Sequence, residues 1–263
     1  MAGSGSGAPT IQEKEMYLRL VKQLSDALRR HPHFVRYLEE WAKKGRGMPE
    51  FHENLRARMR TMEEFNFVYP VKPPDFIHAY KSGGGRKEYI IIEPHLSEEG
   101  LKSHRILLDE FQHSIADNSA VASGPDRWSF IHQFLKQNVT TRRIPEPGWL
   151  RRNIGLAPPP KTYVSEGDLD VIALYLDREM TGRGVLTPMV IDPYLNELNA
   201  IGAGRLEVVH KVWGAMEVGR RFRDATELDG LLEREAIRPG PTKPPEHPLT
   251  FRTSRGKTGI IHR

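Results

Sequence analysis

The apolar residues of this 263-residue chain change their spacing near residue 65, and no other sequence feature restricts the fold as strongly. Before that point they recur every three or four residues, as in the stripe Tyr17, Val21, Leu24 and Leu28, which is the period of an amphipathic helix. After it they alternate in short aromatic and branched runs, which is the period of a strand. The sequence therefore predicts an α+β protein that begins with helices.

The N-terminal part of the chain consists of a leader and one mixed domain. Residues 1–10 are rich in Gly, Ser and Pro, a composition typical of a disordered leader. Residues 11–143 show helical stripes, strand-like runs and two further helical segments. They predict an N-terminal helical domain with a small β-sheet.

Several local signals lie within this first domain. Ser97 precedes two glutamates and predicts a helix start, because serine is a favoured cap and acidic residues suit the positive end of a helix. His78 lies in a strand-like run, where a hydrogen-bonded histidine is more common than a catalytic base. A second leading helix is predicted from the stripe Phe34, Tyr37, Leu38 and Trp41, and a third from the stripe Phe51, Leu55, Met59 and Met62.

A proline-rich stretch separates the first domain from a second, smaller one. Residues 144–161 contain five prolines, which favour extended backbone and predict a linker. Residues 162–237 predict a helix that begins at Ser165, an antiparallel meander and a last helix capped by Asp224 and Glu227. Residues 238–263 show no sustained apolar period and are interpreted as a basic tail or a truncated segment. The strand-like segments of the meander are 189–191, 198–201, 206–211 and 215–220.

Composition excludes several kinds of chemistry. The chain has no cysteine, so it has no disulfide, no thiolate metal site and no thiol nucleophile. The histidines show no spacing typical of metal ligands. No apolar run approaches the roughly 20 residues that cross a bilayer, and the N-terminus lacks the pattern of a signal peptide. A cytoplasmic location is therefore expected.

The sequence carries no complete catalytic motif. A P-loop requires the pattern Gly-x-x-x-x-Gly-Lys-Ser/Thr between a strand and a helix. Gly256, Lys257 and Thr258 supply only its last three letters, and Phe251 occupies the position of the first glycine. The sequence therefore predicts no ATPase site within these residues and leaves open whether the chain is part of an enzyme.

Arginine is the residue type whose distribution suits ligand binding. Lys and Arg number 39 against 34 Asp and Glu, so the net charge of +5 is a weak signal for an anionic partner. Arginine can hold a phosphate through two hydrogen bonds, although a solvated position beside acidic neighbours is the simpler interpretation of any single one. The second domain contains Arg178, Arg183, Arg205, Arg220, Arg221 and Arg223.

Three segments resemble the N-terminal region of archaeal type II and type IV secretion-system ATPases, the family that includes type IV pilus and archaellum motors. They are FNFVYPVKPPDFIHAY, YIIIEPHLSEEG and the long stretch from DREMTGRGVL to the end of the second domain. The resemblance depends on the ordered combination Gly182 and Gly184, Pro188, Asp192 and Pro193, Gly202 and Gly204, His210 and Lys211, Trp213 and Gly214, and Phe222. The family's acidic pair is replaced here by Asn196 and Glu197, and its motor motifs are absent from the sequence.

The resemblance implies a regulatory and docking region that works with a motor domain outside these residues. The second domain would pack on its own or a neighbouring motor in a hexamer. Arg178 and Arg183, and after them Arg205 and Arg223, would reach ATP with Mg²⁺ bound by that motor. The first domain would face a membrane platform protein, so the expected location is cytoplasmic and peripheral to the membrane.

Two other functions remain open from the sequence. The chain would also suit a stand-alone paralogue without a motor that regulates such a ring. A basic nucleic-acid-binding module is the third interpretation, and it would show a steep salt dependence of DNA affinity. The mixed charge pattern makes a nucleic-acid partner the least favoured of the three.

Overall fold

A computed structural model describes residues 22, 24–81, 83–117, 126–143, 161–181, 184–237 and 249–261. Its helices are α1 (24–30), α2 (Pro32–Lys43), α3 (Glu98–Asp117), α4 (Arg127–Asn138), α5 (Glu166–Met180), α6 (Thr187–Val190) and α7 (Ala225–Ile237). Short 3-10 turns span Ala57–Thr61 and Gly184–Leu186. The strands are β1 (Glu50–Phe51), β2 (Phe65–Lys72), β3 (Asp75–Lys81), β4 (Glu88–Ile92), β5 (Val139–Thr140), β6 (Thr162–Tyr163), β7 (Leu195–Ala200), β8 (Arg205–His210), β9 (Gly214–Arg221), β10 (Leu249–Arg252) and β11 (Thr258–Ile261). The predicted α+β class is confirmed.

The chain divides into two compact units. Residues 1–94 and 188–263 form one, called here the sheet unit, and residues 95–187 form the other, the helical unit. These limits differ from the predicted domains, because one sheet pairs strands that had been assigned to separate domains. The leader at 1–10 and most of the predicted linker, 144–160, lie outside the described residues.

The sheet unit is built on nine strands in the order β1-β2-β3-β4-β9-β8-β7-β10-β11. The antiparallel meander β2–β4 and the antiparallel meander β7–β9 meet where β4 lies parallel to β9. The strand register pairs two positions here, Glu88 with Glu217 and Tyr89 with Val218. We call this junction the β4–β9 seam.

In the two leading helices, the described residues of the apolar stripes pack against the sheet, with Leu24 and Leu28 of α1 beside the same core as α2. Pro32 occupies the first turn of α2, where a missing backbone donor costs nothing, and α2 buries Phe34 and Leu38 on the β2–β4 meander with Val68 and Phe76. Phe34 stacks on Phe76 at 4.6 Å between ring centroids.

The third predicted leading helix was wrong. Residues Glu50–Phe51 form a strand that pairs parallel with β2, and residues Ala57–Thr61 form a 3-10 turn that buries Met59. The apolar spacing of this segment fitted a helix, but pairing of Phe51 with Val68 satisfies the backbone instead.

Two further local predictions need correction. The strand expected at 189–191 falls mainly in α6, whose second residue is Pro188, a residue well suited to a first helical turn. The tail expected over 238–263 contains a hairpin, because Leu249, Phe251 and Ile261 alternate into the core and β10 pairs parallel with β7. Residues 238–248 lie outside the described part.

The helical unit packs α3, α4 and α5 around one core. Leu107 and Phe111 from α3, Ile131 and Phe134 from α4 and Ile172 from α5 are all buried in it. The predicted helix beginning at Ser165 is confirmed, since the Ser165 side chain accepts a hydrogen bond from the amide of Asp168.

One carboxylate links the starts of α3 and α5. Asp168, which is 5% exposed, accepts hydrogen bonds from the Ser97 amide at 2.9 Å, the Ser97 hydroxyl at 2.6 Å and the Ser165 hydroxyl at 2.6 Å. Ser97 in turn accepts from the amide of Gly100, as a helix cap does. Burial alone would raise the pKa of Asp168, but these hydrogen bonds hold the pKa below its ordinary value.

Gly100 is predicted to be intolerant of a side chain. A Cβ atom there would lie 2.6 Å from the Asp168 carboxyl carbon, and three hydrogen-bond donors hold that carboxylate in place. We expect Gly100→Ala to lower the free energy of unfolding by about 1–3 kcal/mol, measured by urea denaturation.

Gly167→Ala is the matched control, because Gly167 also lies in a first helical turn and its Cβ would meet nothing within 4 Å. Alanine has the higher helix propensity, so this variant should be unchanged or up to about 1 kcal/mol more stable. Equal effects of the two substitutions would contradict the role assigned to Asp168.

Candidate functional site

The four arginines selected from the sequence have different surroundings. Arg178 belongs to the helical unit, is 5% exposed and packs over the Tyr175 ring at 5.6 Å. Arg205 and Arg223 belong to the sheet unit and are far more exposed. Arg183 lies outside the described residues. Of the described three, only Arg205 and Arg223 can meet an external ligand in this conformation.

The β8–β9 hairpin brings a further arginine beside Arg205. Arg205 begins β8, Arg221 ends β9, and the two are directly paired across the strands. Arg223 follows two residues later with a side chain that is 80% exposed. We call Arg205, Arg221 and Arg223 the arginine edge. Arg221 is one of the six arginines noted in the second domain. It could not be selected from the sequence, because its position opposite Arg205 depends on the strand register.

A tight turn brings the chain to this edge. Gly202, Ala203 and Gly204 all have positive φ, at 86°, 49° and 66°. A Cβ atom on Gly204 would lie 2.2 Å from the Phe222 carbonyl oxygen, while the Phe222 amide donates to the Gly204 carbonyl at 2.9 Å. The glycine therefore allows the end of β9 to close on the turn, next to Arg221 and Arg223.

The arginine edge contains both paired and unpaired guanidinium groups. Glu217 is 3.7 Å from Arg205 and is shared with Arg86 at 3.1 Å, and Asp224 is 3.4 Å from Arg223. No described carboxylate lies within ion-pair distance of Arg221. Like charges directly opposite in a sheet cost about 0.2–1 kcal/mol. The edge therefore has the charge and the exposure to bind an anion.

The last predicted helix cap is confirmed beside this edge. The Asp224 side chain accepts from the Glu227 amide at 2.8 Å, and Glu227 accepts from the Arg223 amide at 2.7 Å. These bonds begin α7 directly after Arg223. Arg223 is thus presented from an ordered turn rather than from a loose connection.

A second polar cluster is fully buried at the seam. The hydroxyls of Tyr69 and Tyr89 each donate to the same oxygen of Asp192 at 2.8 Å, and the other oxygen accepts from the Tyr194 amide. Tyr69 also meets His210 at 3.1 Å. All four side chains of this network, Tyr69, Tyr89, Asp192 and His210, are at most 1% exposed.

The protons of this network have one consistent arrangement. His210 accepts from the Val212 amide through Nδ1, so its proton lies on Nε2 and is donated to the Tyr69 oxygen. Burial and the Lys211 charge lower the pKa of His210 to about 3, which keeps the imidazole neutral. Burial and the Asp192 carboxylate raise the pKa of Tyr69 well above its ordinary value. No side chain of this network is both accessible to a ligand and ready to gain or lose a proton.

The motif residues around this network also have structural roles. Lys211 donates to the Pro193 carbonyl at 2.6 Å, and Trp213 stacks on His210 at 4.6 Å and on Phe65 at 4.7 Å. Since Phe65 lies on β2, the Asp-Pro turn and the His-Lys-x-Trp-Gly turn both join one meander to the other.

The remaining sequence candidates are structural as well. His78 lies between the Tyr37 hydroxyl and the Asn66 side-chain oxygen, at 2.6 Å from each, and burial lowers its pKa to about 3. The predicted hydrogen-bonded sheet histidine is therefore confirmed. Gly256 and Lys257 lie in the turn between β10 and β11, where Gly256 has φ 83° and the Lys257 amine contacts Glu233 at 3.0 Å. This is a strand-to-strand turn and lacks the helix of a P-loop.

Two searches of the described residues report on metals and membranes. No three His, Asp or Glu side chains converge as metal ligands in the ranges that the structure covers. Among the helices of the same ranges, none combines the length and the apolar character that crossing a bilayer requires.

Comparison with known proteins gives one uncharacterized relative. No family model matches the chain. It is 28% identical over 220 residues to an uncharacterized protein of Methanocaldococcus jannaschii, a match that covers 83% of this chain. The chain spans about 40% of the length of that relative.

The buried network gives a stability prediction. Tyr69→Phe removes one of the donors to Asp192 and should lower the free energy of unfolding by about 1–3 kcal/mol in urea denaturation. Tyr89→Phe should act similarly, and the double variant should be non-additive because both hydroxyls bind one oxygen.

Tyr80→Phe is the control on the same meander, since its ring contacts Trp41 and Arg46 and keeps both contacts without the hydroxyl. It should change stability by less than about 0.5 kcal/mol. If Tyr69→Phe has an equally small effect, Asp192 does not hold the seam.

Proposed function

We propose that this chain is the N-terminal regulatory and docking region of a hexameric secretion or type IV filament assembly ATPase. In this proposal a motor domain outside these residues binds ATP with Mg²⁺ and hydrolyses it. The sheet unit meets that motor or the neighbouring one, and the movement is passed to a platform protein at the cytoplasmic face of the membrane. The motif resemblance described above and the greater length of the archaeal relative both support this proposal.

The arginine edge is the observation on which the proposal depends most. Arg205 and Arg223 were implied by the resemblance, and Arg221 lies opposite Arg205 without a described acidic partner. An exposed guanidinium group without a described acidic partner suits the phosphates of a nucleotide held by another domain. The edge would add positive charge to a transition state and would not itself hold the nucleotide, since the described residues form no P-loop.

Arg178 is the weaker candidate for the same role. Its side chain is buried over Tyr175, so reaching a nucleotide would require the helical unit to rearrange. Arg183 stays a prediction. We therefore assign the nucleotide contact to the arginine edge.

The test uses the longest native gene product that contains this chain. The gene is read beyond the codon of Arg263, and the complete protein is assayed for ATP hydrolysis. Arg221→Ala should reduce kcat by about 100-fold if the guanidinium stabilises charge in the transition state. The control is Arg252→Ala, an exposed arginine on β10 of the same sheet.

Stability supplies an independent readout for the same variant. Removing Arg221 relieves its repulsion with Arg205, so Arg221→Ala should raise the free energy of unfolding by about 0.2–1 kcal/mol. A loss of activity together with a gain of stability cannot come from misfolding. An unchanged kcat in Arg221→Ala would contradict the nucleotide contact, and a gene that encodes no motor would favour a regulatory paralogue.

A further inference from the structure

Helix α4 of the helical unit carries an exposed aromatic and basic stripe. Trp128, His132 and Lys136 follow one another at intervals of four residues and therefore lie on one side of the helix. Trp128 is 41% exposed, and its ring lies 5.9 Å from that of His132. The neighbouring side of α4 faces the core, where Ile131, Phe134 and Leu135 are buried.

Basic residues accumulate at the C-terminal end of this stripe. Residues 127–143 contain Arg127, Lys136, Arg142 and Arg143 and no acidic residue. Arg127 is paired with Asp177 and Arg143 with Glu99. The Lys161 amine donates to the Lys136 carbonyl at 2.8 Å and adds another positive charge at this position.

Three of these cations have no described counter-charge. No carboxylate of the described residues lies within ion-pair distance of Lys136, Arg142 or Lys161. The helix dipole favours Lys136 at the last turn, but it explains neither the other two cations nor the exposed indole. We call Trp128, His132, Lys136, Arg142 and Lys161 the α4 stripe.

The shape and chemistry of the α4 stripe select among anionic partners. A single exposed aromatic side chain on a convex helix cannot stack successive bases, which single-stranded nucleic acid would require. An indole beside lysine and arginine is the combination that suits the interface of a bilayer, where the ring lies among the headgroups and the cations meet anionic lipids. Long basic side chains can also reach the headgroups while their stems cover apolar surface.

We propose that the α4 stripe binds the surface of an anionic membrane. This gives the chain a lipid contact of its own, beyond the protein contact with a membrane platform, and it does not depend on the ATPase assignment. Trp128 enters the headgroup region, and Lys136, Arg142 and Lys161 lie above the anionic lipids. Because the attraction is electrostatic, added salt weakens it.

The experiment measures co-sedimentation of the full chain with two kinds of vesicle. One is phosphatidylcholine alone, and the other is phosphatidylcholine mixed with phosphatidylglycerol. We expect binding to the mixed vesicles only. Each basic residue near such a surface contributes about fivefold to affinity, so Lys136→Glu with Arg142→Glu should weaken binding by roughly 25-fold or more.

Lys102→Glu is the matched control, because Lys102 is exposed on α3 and the substitution changes the net charge by the same amount as Lys136→Glu. It should weaken binding less than Lys136→Glu does. Equal weakening by these two single variants would overturn the proposal, since net charge rather than the α4 stripe would then explain the binding.

Tryptophan emission reports on the indole itself. The difference between the native chain and Trp128→Phe isolates Trp128 from the other tryptophans, and this difference should shift to shorter wavelength with mixed vesicles. No shift, equal binding to both kinds of vesicle, or binding of single-stranded DNA in place of vesicles would each overturn the proposal. The assay uses neither nucleotide nor motor, so its outcome is separate from that of the ATPase test.

Discussion

The sheet unit depends on one buried carboxylate, Asp192. Its oxygens accept hydrogen bonds from Tyr69 and Tyr89 on one meander and from the Tyr194 amide at the start of the other. The strand register pairs two positions at the β4–β9 seam. Side-chain hydrogen bonds and the stacking of Trp213 on Phe65 join the two meanders further and help to make nine strands one sheet.

This arrangement changes how the motif residues are understood. The Asp-Pro turn, His210, Trp213 and Gly204 were prominent in the sequence, and each has a packing or hydrogen-bonding role that needs no ligand. A resemblance based on such residues concerns how the sheet is assembled. Function has to be sought at exposed positions, which is why both proposals made here depend on charged surfaces rather than on the buried network.

Local sequence signals predicted local structure well and long-range pairing poorly. The apolar stripe of α2, the caps at Ser165 and Asp224 and the three strands of the second meander all appear at or near their predicted places. The segment at 50–62 and the hairpin at 249–261 did not follow their local patterns, because each pairs with a strand distant in sequence. Arg221 was not selected for the same reason, since only the register of β8 and β9 places it opposite Arg205.

The sheet unit is assembled from two stretches of chain, and the whole helical unit lies between them in sequence. A ribosome therefore delivers β2–β4 well before β9 exists, so β4 leaves the exit tunnel with its outer edge unpaired. The helical unit is continuous and can complete its core in the meantime. The nascent chain thus passes through a period in which the partner strand of β4 has not yet been synthesised, and an unpaired strand edge of this kind favours aggregation.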